Sequence, residues 1–179
     1  WDSALRGSSA LRAHLMRALD IELASHSDLL ITHFLWDMRK FYDSISITML
    51  VKELVRLGYP PTLLILGLIM HKAPRTLIVG RCASDPICTL TKSILAGCQQ
   101  SVSWARGLLH RMVEALGWIM PQSICWEHVD DLSQVLVSQS RRGLFDASLE
   151  VGRKVGQYAQ ELGLTLVDKS VVTSNTSIA

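Results

Sequence analysis

Three aspartates carry the chemistry this sequence could perform. Asp37 closes the apolar run from Leu29 to Trp36, and Asp130-Asp131 sit between two further short runs, Ser123 to Val129 and Leu132 to Val137. An acid at a strand end has a fixed backbone. Two or three converging carboxylates are hard oxygen ligands suited to Mg2+. Such a cluster would otherwise repel itself, which points to a divalent-metal site where two ions clamp the attacking and leaving oxygens of a phosphoryl displacement. Aspartate is also common in turns. On spacing alone Asp130-Asp131 could be a plain hairpin turn and Asp37 a loop residue.

Those acids need elements to present them, and the composition supplies the material. The 179 residues, 49% hydrophobic and 19% charged, suit one globular domain that buries over half of its unfolded surface. A net charge of +2 with that apolar fraction excludes intrinsic disorder and a uniformly basic tail. The longest strongly apolar stretch, Leu63 to Met70, falls well short of the ~18 residues that span a bilayer, so the chain reads as soluble with no membrane partner. Cys82, Cys88, Cys98 and Cys125 match neither zinc-pair spacing nor a secreted disulfide framework. Reduced thiols and an intracellular setting follow, nucleus or cytoplasm alike. The chain opens at Trp1, with Arg6, Arg12 and Arg17 but no signal-peptide core, and reads as a piece of something longer.

Leu5, Leu11, Leu15, Leu19 and Leu23 recur mostly every four residues and predict a first helix over Ala4 to Ala24. The strand ending at Asp37 follows. Ser46 or Thr48 can cap a helix through Leu57 that Gly58 and Pro60-Pro61 end, and a second runs from Thr62 to His71. Arg75 to Arg81 is strand-like, with a turn over Cys82 to Pro86. Helix resumes after Gly97 and is expected to stop at Gly117. Two short strands flank Asp130-Asp131. Phe145, Leu149, Gly152, Gly156 and Ala159 then mark a helical face, and Leu164 to Val167 with Val171-Val172 read as a closing strand pair.

The wording around the acids resembles reverse transcriptases. Asp37-Met38-Arg39-Lys40-Phe41-Tyr42 resembles their motif A, an acid at a strand end followed five residues later by an aromatic. Ala96-Gly97-Cys98-Gln99-Gln100-Ser101 is similar to motif B, which normally reads Gly-x-x-Gln-Gly. His128-Val129-Asp130-Asp131 resembles motif C, and Leu162-Gly163-Leu164 through Asp168-Lys169 resembles motif D. The four occur in order from about Leu30 to Val172. Three positions depart from the pattern: His128 precedes the Asp pair in place of an aromatic, Ser101 replaces a glycine that can allow close approach or positive φ, and Phe41 is bulkier than usual.

The resemblance implies an α+β fold, a polymerase palm of split βαβ, ferredoxin-like type: a small, mainly antiparallel sheet with helices packed on one face. Residues 1–28 would be a helical lead-in, 29–174 the palm and 175–179 a polar tail. It implies RNA-directed DNA synthesis of the retroelement type, with two Mg2+ ions, for which Mn2+ could substitute. Asp37 and Asp130 would hold the metal, with Asp131 a neighbour of lesser weight. Tyr42 would pack beneath the incoming sugar and favour a dNTP, with Phe41 beside it; a core tyrosine is the alternative. Gln100 and Ser101 would lie near nucleotide and template base. Lys169 would meet the leaving pyrophosphate as a cation or general acid, or be a plain surface lysine. The implied partners are an RNA template, a DNA or RNA primer, a dNTP, and the fingers and thumb of a longer chain.

Six basic residues and one acid lie between Lys72 and Arg111, either a phosphate-neutralising stripe or a solvated face. Lys92, Arg106 and Arg111, which bracket the motif B segment, are the expected nucleic-acid contacts. Two other readings remain open: a catalytically silent remnant that binds RNA or serves as an interaction domain, and another palm-type nucleotidyltransferase or cyclase.

Overall fold

The strand that ends at Asp37 is the organising element. The computed structural model describes residues 9–87, 91–119, 123–128, 131–168 and 170–175. In chain order these form α1 (Ala10–His26), β1 (Leu30–Trp36), α2 (Phe41–Ser44), α3 (Ile47–Arg56), α4 (Pro61–Lys72), β2 (Ile78–Val79), β3 (Cys82–Ala83), α5 (Gln99–Ile119), β4 (Ile124–His128), β5 (Asp131–Ser138), α6 (Arg141–Glu161) and β6 (Val171–Ser174). The chain divides into two units, Trp1–Arg39 with His110–Ala179, and Lys40–Leu109.

The first unit holds a four-stranded sheet in the order β4-β5-β1-β6, with every neighbouring pair antiparallel. Because β5 pairs antiparallel with both β4 and β1, the latter two run parallel with β5 inserted between them. That is the split βαβ arrangement, so the α+β fold class and the antiparallel sheet are as expected.

Side chains alternate along β1, and each face has its own cover. Phe34 and Trp36 stack on one face, ring centroids 5.1 Å apart at 6°, an arrangement worth about 0.5–1.5 kcal/mol beyond the area buried. On α6 the buried stripe is Leu144, Val151, Val155 and Ala159, and a Cβ on Gly152 would stand 4.0 Å from the Trp36 ring. On the other face Ile31 and Val135 cluster with Ala24 of α1. Helices therefore cover both faces, where the sequence led us to expect one.

The packed helical faces differ from those that the apolar periodicity predicts. Leu11, Leu15, Leu19 and Leu23 of α1 are all exposed, and Ala24 is its buried contact. Phe145 and Leu149 are exposed as well, one position off the stripe that packs. Periodicity identifies a helix correctly here, but two apolar stripes compete and only tertiary packing chooses between them.

The second unit is built from helices. Ser46 caps α3, its hydroxyl accepting the Met49 N–H at 3.5 Å, and Ile47, Leu50 and Leu54 are buried, as are Leu64 of α4 and Trp104, Ala105 and Leu108 of α5. The turn expected over Cys82 to Pro86 lies earlier: β2 and β3 pair Val79 with Cys82, around a positive-φ Gly80. Helix α5 does not stop at Gly117 but continues to Ile119. The expected pairing of Leu164–Val167 with Val171-Val172 is replaced by long-range contacts, since both stretches are laid along β1 and its extension. Among the described residues no helix is long and apolar enough to cross a membrane.

Candidate functional site

Strand pairing brings the ends of β1 and β5 together. The β1–β5 register closes on Trp36↔Leu132, which leaves Asp37 and Asp131 as the residues next to that last pair. The β4–β5 pairing reaches His128↔Asp131. Asp130, its chain neighbour in the acid pair, lies outside the described residues, as does Lys169. Asp37 is half-buried and Asp131 exposed.

Asp37 is held on one side by the segment that the sequence marked as motif D and on the other by Ser170, the residue that follows it. Its N–H donates to Ser170 Oγ at 3.3 Å, and its carbonyl accepts the Val167 N–H at 2.9 Å. Arg39 N–H donates to the Thr165 carbonyl at 2.8 Å, and Met38 bridges Leu166. Residues 165–170, Lys169 excepted, are thus fixed against the candidate acid. Local patterning gave no sign of this.

A second feature was also invisible in the sequence. Arg17 of α1 donates from Nη1 to Ser133 Oγ at 2.7 Å, on the α1-facing side of β5 two residues from Asp131. Burial lowers the Arg17 pKa, and the Asp131 charge acts against that. A cation of α1 therefore acts on Asp131. His33 on the same side has its pKa lowered by burial first, then by Arg17 and His14.

The remaining candidates stand in the second unit, except Arg111. Phe41 is buried and meets Tyr42 edge-on, with ring centroids 5.4 Å apart at 80°. Tyr42 is half-buried, and its carbonyl accepts the Ile94 N–H at 3.0 Å. Phe41 is thus a core support behind Tyr42. The Ser101 departure also acquires a role. Ser101 lies inside α5, where no positive φ is needed; Gly97 carries it instead, at +79°. The buried Ser101 hydroxyl donates to the Leu95 carbonyl at 2.6 Å, while His71 Nδ1 accepts the Leu95 N–H at 2.9 Å. One peptide segment ahead of α5 is clamped from both sides, by a histidine that the sequence gave no reason to single out.

Gln100 donates from Nε2 to the Leu63 carbonyl at 2.8 Å. Lys92 is exposed, with a backbone bridge to Ser46. Arg106 is half-buried and Arg111 exposed. Five residues apart on one helix, they point about 140° from each other, so they do not form one stripe. Arg75 is drawn inward, donating to the His71 carbonyl at 3.0 Å.

Asp37 and Asp131 bring carboxylates to this end of the sheet. Among the described residues no group of three or more His, Cys, Asp or Glu is placed to hold a metal ion.

No family model matches the chain, and no curated protein does. Solved structures do. The structure of apo telomerase from Candida tropicalis truncated from its C-terminal domain aligns with a TM-score of 0.62 at 12% identity, over 96% of this chain and 36% of that one. Telomerase from Candida albicans in complex with a TWJ fragment of telomeric RNA aligns at 0.60 and 17%, over 96% and 31%. A further apo telomerase from Candida tropicalis aligns at 0.60 and 13%, over 94% and 33%. The chain spans about a third of the length of these structures, and at such identities the likeness is one of fold.

Proposed function

We propose that this chain is the palm of a template-directed nucleotidyltransferase, an RNA-directed DNA polymerase that extends a DNA or RNA primer on an RNA template. One observation carries the reading: the β1–β5 register sets Asp37 and the acid-bearing β4–β5 hairpin at the same end of one sheet. The fold shared with telomerase structures, one of them bound to telomeric RNA, supports it. So does the order of four motif-like segments.

In this reading Asp37 and Asp130 hold two divalent cations, with Asp131 beside them. Mg2+ bound there would supply Lewis acidity to a primer hydroxyl and to the departing pyrophosphate. The protein's own residues do the positioning. Ser170 and Val167 fix the Asp37 backbone, and Arg17 offsets the negative charge of Asp131. Tyr42, braced by Phe41, forms the floor under the incoming sugar and disfavours a 2′-hydroxyl. Gln100 borders the nucleotide and template base, with the buried Ser101 behind it holding the Leu95 carbonyl. Lys169 meets the pyrophosphate, with Lys92, Arg106 and Arg111 on the nucleic-acid backbone.

The test is dNTP incorporation by the intact natural protein on a primed RNA template with Mg2+, comparing Asp37→Ala and Asp130→Ala. Each substitution is expected to abolish incorporation. Incorporation unchanged by either refutes the metal assignment, and none by the unaltered protein favours a silent, RNA-binding palm.

A further inference from the structure

Helix α4 carries a glycine at its centre, Gly67, among Leu, Ile and Met neighbours. Glycine in a helix interior is less favourable than alanine by about 0.5–1 kcal/mol, so its neighbourhood should show what it permits. Gly67 is buried, and a Cβ there would stand under 3.0 Å from the nitrogen, oxygen and carbon of the Gln100 amide. One turn earlier on the same helix, the Leu63 carbonyl accepts the Gln100 Nε2–H at 2.8 Å. The Gln100 amide therefore lies directly on the α4 backbone, in a space that exists because residue 67 has no side chain.

We propose that Gly67 and the Leu63 carbonyl form a cradle that presets the Gln100 amide, and that Gly67 is thereby a positioning residue for the dNTP. This rests on the function proposed above. One amide N–H is spent on Leu63, which fixes the plane of the group and leaves Oε1 and the second N–H to meet a nucleotide. The same stretch is pinned further by His71 and Ser101, which take the two sides of the Leu95 peptide. A preset amide gives up little freedom when ligand arrives, and preorganisation of that kind appears in nucleotide affinity.

The experiment is a double-mutant cycle of Gly67→Ala and Gln100→Ala in the intact natural protein, read by thermal melting and by steady-state dNTP incorporation. In the wild-type background Gly67→Ala pushes the flexible end of the Gln100 side chain off the Leu63 carbonyl, and the loss of that one hydrogen bond is expected to lower Tm by about 2–4 °C relative to the same change in the Gln100→Ala background. In the Gln100→Ala background the same change is neutral or raises Tm, because the space is vacant and alanine is the better helix former. An equal loss in both backgrounds overturns the cradle. For nucleotide, Gly67→Ala and Gln100→Ala should each raise the dNTP KM on the order of tenfold with kcat much less affected, and the double variant should be no worse. An unchanged KM in Gly67→Ala overturns the positioning role. If the unaltered protein incorporates nothing, the polymerase reading and the dNTP role fall together, while the melting cycle still decides the cradle.

Discussion

Lowering the pH should loosen the second unit through a single ring. His71 is fully buried, tilted 38° against Trp104 with ring centroids 4.7 Å apart, and its Nδ1 accepts the Leu95 N–H. Protonation would place a hydrogen where that N–H already points. Burial first, and the Arg75 charge second, hold its pKa below the ordinary 6.5. The unfolded chain therefore binds the proton more readily than the folded one. The His71 contribution is complete above pH 6.5 and declines as pH falls toward the folded value, with a slope of about 1.4 kcal/mol per pH unit. His33, lowered by burial, Arg17 and His14, contributes with the same sign, so the two together give at most about 2.7 kcal/mol per unit. Asn at position 71 can offer an oxygen near the Nδ1 position without titrating. Urea unfolding from pH 8 to pH 5 should therefore show a smaller slope in His71→Asn than in wild type, from a lower starting stability because the ring is lost. A slope identical to wild type would refute the argument.

Further outcomes follow from the packing and the caps. Leu108→Ala in the fully buried face of α5 should cost about 2–5 kcal/mol in urea unfolding. Ser140→Ala removes the hydroxyl that accepts the Gly143 N–H at 3.0 Å and caps α6, and should cost about 1 kcal/mol by the same assay. Burial pushes the Cys125 thiol up to about 11, so at pH 7.5 a maleimide should label exposed Cys82 readily and Cys125 slowly, with mass spectrometry assigning the sites.

The strands and the acid at the end of β1 were legible because short β-branched and aromatic runs bounded by turn residues leave few alternatives. Leu30 to Trp36 and the pair flanking Asp130-Asp131 are examples. The helix cap at Ser46 was equally local. What sequence could not give was everything set by distant partners. Leu164 to Val167 read as one half of a local strand pair, yet it is bound to residues 37–39, because pairing choice depends on which edge tertiary folding offers. Leu11, Leu15, Leu19 and Leu23 announced a helix but misnamed its packed side. In the candidate site, Asp37, Tyr42 and Gln100 came from motif order. Arg17, His71, Gly67 and Ser170 act through single long-range hydrogen bonds or one absent methyl, and none of those leaves a periodic trace.

The joint chelation of a divalent cation by Asp37 and the hairpin acids is tested most directly by Mn2+ titration of the intact natural protein, free ion being followed by electron paramagnetic resonance. The account predicts that Asp37→Asn and Asp130→Asn each weaken Mn2+ binding by at least about tenfold, the loss of one carboxylate ligand, with unchanged circular dichroism. Mn2+ binding that survives Asp37→Asn undiminished would contradict it.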